Sequence, residues 1–379
     1  MKQFKNLNIA LVYDRVNKFG GAERVLLALR RIWPEAPLYT AVYDPAGASW
    51  AKDFQVIPSW IQHFPLAKKK HEIYPWLMPF AFESFDFSNF DLVISVTSAE
   101  AKGIVTKPET NHLCYCLTPT RYLWSSYRHY LSQPCYGLFN PLARLAMKPL
   151  LSRLRKWDQI AAQRPDCYLA ISKAVQKRIK KYYKRQSKVI YPPVDTDKFK
   201  LTRSKPGQYF LAVSRLVSYK RVDIIIEAFN QLGWPLKIIG AGSEKKKLER
   251  RTRGKIEFLG QNLTDEELLR YYQNCRALVF AGKEDLGLVS LEAQACGRPV
   301  IAYRGGGLKE TLIQGKTGVL FSSQSVSALK GALKKFGKQK FRPEDCRQNA
   351  RRFSQEKFIK RFKKEVEERW EKQQKLNQK

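Results

Sequence analysis

A chain of 379 residues is longer than one ordinary hydrophobic core organises and suits two domains. With 44% apolar residues and a mean hydropathy of −0.44, it reads as globular, and no apolar run approaches the ~20 residues that span a bilayer. The formal charge of +35 favours polyanionic partners, nucleic acid or an anionic membrane face. Lys and Arg are spread along the whole chain, however, and no RNA-binding aromatic motif, zinc finger or basic zipper accompanies them, so nucleic acid is not the expected partner. The seven cysteines (Cys114, Cys116, Cys135, Cys167, Cys275, Cys296, Cys346) are odd in number and fall mostly inside strand-like or helix-like segments, the pattern of buried free thiols in a reducing compartment. Neither they nor His63, His71, His112 and His129 show metal-ligand spacing, so no metal and no resident cofactor is expected.

Residues 8–13 (NIALVY) predict a first buried strand; Asp14 and Arg15 follow at once, which argues against a secretion signal. The glycines Gly20 and Gly21 then lead into a helix over 22–33, and they let backbone N–H groups approach a ligand closely. FGGAER is not G-x-G-x-x-G, which argues against a nicotinamide cofactor. Residues 56–90 are crowded with aromatics and prolines and read as packed irregular helices, with an acceptor-facing or membrane-facing lobe as the competing reading. A strand follows over 91–96. Residues 150–162 (LLSRLRKWDQIAA) predict a basic amphipathic helix with Leu150, Leu151, Leu154, Trp157 and Ile160 on one face, suited either to core packing or to a membrane interface. A strand over 168–171, with Ser172 as helix N-cap, precedes KVIYPP at 188–193, where a proline pair and a charged stretch mark a domain boundary. Asp195 and Asp197 spell D-x-D but fall in that linker, which favours turn chemistry over metal binding.

Strand and helix then alternate again. A strand over 209–213 is followed by Arg215 and Lys220, cations at a strand's carboxyl end where a bound anion is served. A strand over 236–239 leads into Gly240-Ala241-Gly242-Ser243, and one over 256–259 into a helix over 263–274 with Thr264 and Glu267 as a capping box. Residues 277–303 (ALVFAGKEDLGLVSLEAQACGRPVIAY) read as strand, loop, short helix and strand, with Gly297 as a left-handed helix stop. Glu284 lies in that loop and Glu292 in that helix. The helix start, Gly287, Leu288 and Val289, offers N–H groups to an anion. Gly305-Gly306-Gly307, a short helix over 308–313 and a long basic helix over 353–370 complete the chain.

The pair Glu284 and Glu292 resembles the E-x7-E signature of the retaining glycosyltransferases of family four. The FGGAER loop, the Arg215/Lys220 pair and the P-P-V-D hinge are similar to features of the same family. The resemblance implies an α/β chain of GT-B fold: two doubly wound Rossmann-like domains facing across a cleft, residues 1–194 on the acceptor side and 195–352 binding the nucleotide sugar. A C-terminal helix, 353–379, would cross back onto the first domain. It also implies that Glu284 contacts the transferred sugar and Glu292 the ribose. Arg215 and Lys220 neutralise the leaving diphosphate, while Gly20, Gly21, Gly242, Gly287, Leu288 and Val289 line the donor.

Residues 113–124 (LCYCLTPTRYLW) are similar to a motif of the mannosyltransferase-like subgroup of bacterial polysaccharide and O-antigen synthesis. Thr118, Arg121 and Tyr122 match it, which puts Thr118 and Arg121 on the acceptor side. Leu117 departs from it, standing where the subgroup usually has a histidine that contacts the donor sugar. The expectation is therefore a retaining, metal-independent hexosyltransferase using GDP-mannose, with a saccharide or lipid-linked saccharide as acceptor. It would be cytoplasmic and peripheral on the inner face of the cytoplasmic membrane. Two alternatives stay open: a UDP-sugar enzyme of the same fold, or an impaired nucleotide-sugar fold that binds membrane or nucleic acid.

Overall fold

The computed structural model describes residues 7–125, 127, 140–202, 205–261 and 263–377; Cys135 and His129 lie outside them. The chain divides into two compact units, Met1–Tyr191 with Phe358–Lys379, and Pro192–Lys357. The sequence placed these boundaries at 194 and 352.

Among the described residues, the first unit is built on a seven-stranded, wholly parallel sheet in the order β3-β2-β1-β4-β5-β6-β7. The strands are β1 (Ile9–Tyr13), β2 (Leu38–Thr40), β3 (Val56–Pro58), β4 (Leu92–Thr97), β5 (Asn111–Cys116), β6 (Cys167–Ala170) and β7 (Lys188–Val189). Every residue of β1 and β4 is buried, as parallel strands covered on both faces require, and this is why they read as unbroken apolar runs. The order reverses between β1 and β4, so that point is where a doubly wound sheet opens a crevice for ligands.

The second unit repeats the plan with six parallel strands in the order β10-β9-β8-β11-β12-β13. These are β8 (Phe210–Val213), β9 (Leu236–Ile239), β10 (Ile256–Gly260), β11 (Leu278–Phe280), β12 (Val300–Tyr303) and β13 (Gly318–Phe321). Its switch point lies between β8 and β11. The helix Val222–Leu232 covers one face with Ile224, Ile225, Ala228 and Phe229, all in one core with Phe210, Val279 and Ile301.

The helix Gln355–Asn377 runs out of the second unit, and from Phe358 onward it belongs to the first. There Phe358 and Phe362 are buried against Tyr115, with ring centroids 5.9 and 5.7 Å away. The helix Asn140–Ala161 spends its apolar face inside the first unit: Leu151 and Leu154 are buried with Leu123, and Trp157 donates to Glu83 at 2.7 Å. Ile160, expected on that face, is 63% exposed. It is three residues beyond Trp157 and two beyond the buried Asp158, so the inward stripe here is set by a charged residue rather than by the isoleucine.

No helix among the described residues is long and apolar enough to cross a membrane. All six described cysteines are free and buried, and burial pushes the thiols of Cys114, Cys167, Cys275 and Cys346 up to about 12, so they are inert at neutral pH.

Candidate functional site

The loops leaving β8 and β11 meet at the second unit's switch point. Ser214 to Lys220 follow β8 and end in a tight turn, after which Arg221 takes a left-handed φ of 54° to start the next helix. That reversal brings Lys220 back toward the loop after β11, where its ammonium pairs with the Glu284 carboxylate. Gly282 sits between them: a Cβ there would come 3.0 Å from the Lys220 backbone, so glycine lets the two loops approach closely where any side chain would press them apart by a few tenths of an ångström. The rings of Tyr219 and Phe280 each lie 5.5 Å from the Lys220 ammonium. Arg215 is exposed and hydrogen bonds to the Tyr219 hydroxyl. One cation is therefore held by a carboxylate and aromatic faces, and a second lies on the surface beside it.

Glu284 is fixed from its backbone as well as its side chain. Its carbonyl accepts from Gly307 N–H at 2.8 Å, and a Cβ at Gly306, whose φ is 65°, would lie 1.9 Å from that oxygen. The triglycine after β12 thus lets one loop lie flush on the other. Gly242 does the same for the β8 loop: its φ is 158°, and a Cβ there would be 2.2 Å from the Leu216 carbonyl. Gly287, at φ 88°, reverses the chain into the helix Leu288–Ala295, where Leu288 and Val289 form the half-buried first turn. Glu292, one turn further on, is only 3% exposed, and the buried Tyr272 donates to its Oε2 at 2.7 Å. Phe199 packs edge-on against that tyrosine, 5.6 Å between centroids. The structure therefore gathers Arg215, Lys220, Gly242, Glu284, Gly287, Leu288, Val289 and Glu292 along the carboxyl edge of one sheet, within one unit.

Sequence reasoning missed Tyr272. Nothing in the helix Asp265–Asn274 (DEELLRYYQN) sets it apart from Leu268, Leu269 and Tyr271, yet it is the one buried position there. That helix does start on the predicted capping box, Thr264 and Glu267 bonding each other's backbones. Asp195 accepts from the N–H groups of Asp197 and Lys198, so the D-x-D is an Asx turn.

In the first unit, Gly20 and Gly21 open the helix Gly21–Arg30. Behind them lies an unforeseen buried carboxyl, Glu23, which accepts from Tyr13 Oη at 2.6 Å and which burial holds above the usual carboxylate range. At the switch point, Asp14 ties β1 to β4 by accepting from Thr97, Ser98 and Ala101. Arg15 pairs with Glu100 at 2.5 Å, and Tyr122 donates to the other oxygen of Glu100. Thr118 is buried, with its hydroxyl taken by Arg178 at 2.9 Å, and Arg121 is half-buried.

Two doubly wound parallel sheets on one chain, each opening a switch point, define the GT-B class of fold. A solved structure, Anabaena HepE in complex with UDP, matches it with a TM-score of 0.69 at 17% identity over 95% of this chain and 99% of that one. Residues 193–353, nearly the whole second unit, match the family model of the group 1 glycosyl transferases. The chain is 30% identical over 223 residues to an uncharacterized glycosyltransferase of Methanocaldococcus jannaschii, the match covering 56% of this chain and 63% of that one. It is 33% identical over 172 residues to a GDP-mannose-dependent alpha-(1-6)-phosphatidylinositol monomannoside mannosyltransferase of Mycolicibacterium smegmatis, covering 38% of this chain and 44% of that one. The matches thus span 63% and 44% of those curated relatives' lengths.

Proposed function

We propose that the chain is a retaining, metal-independent glycosyltransferase that moves a hexose, mannose from GDP-mannose, to a saccharide or lipid-linked saccharide at the inner face of the cytoplasmic membrane. The observation that carries this reading is the Lys220–Glu284 pair at the switch point of the unit that matches the group 1 model. Departure of the sugar leaves charge on the diphosphate. Lys220, Arg215 and the helix start at Leu288 would stabilise it, the kind of electrostatic contribution that is usually the largest in catalysis. Glu284 would orient the sugar, and Glu292, its rotamer set by Tyr272, would meet the ribose. No side chain here is an obvious nucleophile, so the leaving phosphate oxygen would take the acceptor's proton. The acceptor falls to the first unit, where Arg121 would face an anionic group.

Mannose is favoured by the 113–124 motif and by the GDP-mannose-dependent relative. A UDP-sugar reading rests on the UDP held by HepE, and on Leu117, which gives the sugar no hydrogen bond. Incubating the purified chain with a panel of nucleotide sugars in EDTA, read by mass spectrometry, tests this. GDP-mannose is expected to be consumed without added metal. Product that forms only when a divalent cation is restored overturns the mechanism, and consumption of a UDP-sugar alone overturns the donor. Nucleotide protection against heat with neither transfer nor hydrolysis would leave a binding module.

Gly306→Ala gives a sharper check on the Glu284 loop. The new methyl overlaps the Glu284 carbonyl and the left-handed φ strains the backbone, together about 1–3 kcal/mol, so turnover is expected to fall at least about tenfold. Gly315→Ala is the control, since its φ of 76° carries the same backbone strain but nothing lies within 4 Å of the added Cβ. Equal turnover in the two variants would show that Glu284 needs no such placement.

A further inference from the structure

Within the stretch 60–80 of the first unit, Trp60, Phe64, Leu66, Trp76 and Phe80 are 39%, 38%, 62%, 45% and 59% exposed. Scattered single apolar residues on a surface need no explanation, but five in twenty-one residues do. Four rings form a continuous edge-to-face run: Trp60 to Phe64 at 5.4 Å, Phe64 to Tyr74 at 5.5 Å, Tyr74 to Trp76 at 6.1 Å. The run is built rather than loose, because the Tyr74 hydroxyl donates to the Pro65 carbonyl at 2.9 Å. Beneath it, Ile61, Ala67, Met78 and Phe82 belong to the buried core, so the stretch has spent one set of apolar residues inward and still shows another outward.

Two features say what the outward set meets. Leu66 takes a left-handed φ of 59°, which a leucine adopts only at a cost of about 1–2 kcal/mol, and that turn starts the short helix Ala67–Lys70. Its exposed residues Lys68, Lys69 and Lys70 therefore fall, along the chain, between Phe64 and Tyr74 of the aromatic run. The acidic residue in the stretch, Glu72, sits against His71 at 3.3 Å and leaves the lysines in excess. Tryptophan and tyrosine rings beside lysines suit the headgroup layer of a bilayer, where rings bury their faces and ammonium groups meet anionic lipid.

We propose that residues 60–80 are a docking surface for an anionic lipid bilayer, on which the aromatic run inserts at headgroup depth and Lys68–Lys70 select negative charge. This deepens the membrane-facing part of the proposed function by naming the surface, and it stands apart from the donor chemistry of the second unit.

The test is co-sedimentation of the full-length chain with vesicles of phosphatidylcholine alone and with a quarter phosphatidylglycerol, alongside thermal-shift binding of nucleotide. The wild-type chain is expected to bind the anionic vesicles and to shift its tryptophan emission to the blue. The triple variant Lys68→Gln/Lys69→Gln/Lys70→Gln should partition about a hundredfold less. Trp60→Ser/Trp76→Ser should lose both binding and the emission shift. Equal binding to neutral vesicles, or variants that sediment like the wild type, would overturn the proposal. So would a wild-type dimer in solution that the same serine substitutions dissociate, since the surface would then serve a second copy. Nucleotide protection is expected unchanged in every variant, so failure of the vesicle result and failure of the transferase reading are separately visible.

Discussion

Lys220→Ala is expected to lower sugar transfer about a thousandfold while leaving the fold of the second unit in place. Lys220 is the cation that the switch point holds most firmly: its side chain is 12% exposed, bonded to Glu284 and flanked by Tyr219 and Phe280. A charge in so poorly hydrated a place acts on a developing diphosphate through a low local dielectric and needs no reorganisation when the sugar leaves. Arg215 is different. It is exposed, and water screens it, so Arg215→Ala should cost less than Lys220→Ala.

Glu284→Gln separates the two roles in the pair. It keeps a hydrogen-bonding partner for Lys220 and removes the charge, so nucleotide affinity should hold or tighten while transfer falls. Measuring kcat and nucleotide affinity for the three variants decides it. If Lys220→Ala transfers sugar within tenfold of the wild type, the diphosphate is stabilised elsewhere. If Glu284→Gln loses nucleotide affinity as strongly as Lys220→Ala, the carboxylate is holding the ammonium rather than meeting sugar.

The parts of this site that were legible in the sequence are those with a local cause. A change of apolar period from continuous to helical and back marked 277–303. The stop at Gly297 follows from a left-handed φ, here 77°, and Ser172 and Thr264 cap their helices with their own hydroxyls. What was not legible depends on partners far along the chain. Nothing in Gly305-Gly306-Gly307 announces that its backbone will meet Glu284, and nothing in an amphipathic helix announces that Tyr272 will reach Glu292, twenty residues on. Glu23 carries no local mark of burial, because the group that holds it inward, Tyr13, lies on the neighbouring strand. The strand β2 and the edge strand β3 are three residues each, too short to show a period; β1 offers β2 a ladder, and β2 in turn carries β3. Ile160 was misplaced for the opposite reason. Helical periodicity weighs an isoleucine above an aspartate, but Asp158 has a partner inside and Ile160 has none.

That partner sets the largest stability effect expected of any single substitution in the first unit. Lys102 and Asp158 are 1% and 0% exposed and meet at 2.5 Å. The carboxylate also accepts from Thr120 at 2.7 Å and from the Trp124 indole at 2.7 Å, while the ammonium donates to the Ala99 carbonyl at 2.5 Å and lies over the Tyr183 ring, 5.3 Å from its centre. Burial by itself would lower the Lys102 pKa, but Asp158 beside it overturns that and leaves it above the ordinary value. The stabilisation is therefore fully present through neutral pH and is lost only as pH rises through that raised pKa.

Lys102→Met removes the cation and strands a buried carboxylate, which costs about 3–5 kcal/mol. In a unit of some two hundred residues that lowers the melting midpoint by roughly 10 °C. Lys102→Met/Asp158→Leu takes away both charges and fills much of the space, so it is expected to recover a good part of the loss, because paired burial itself contributes little net stability. Thermal unfolding of the three chains measures this, with nucleotide protection reporting the second unit, which should keep its wild-type value throughout. A single variant that melts within a degree or two of the wild type would mean that water reaches Asp158. A double variant no better than the single would place the stability in the Thr120 and Trp124 bonds rather than in the ion pair.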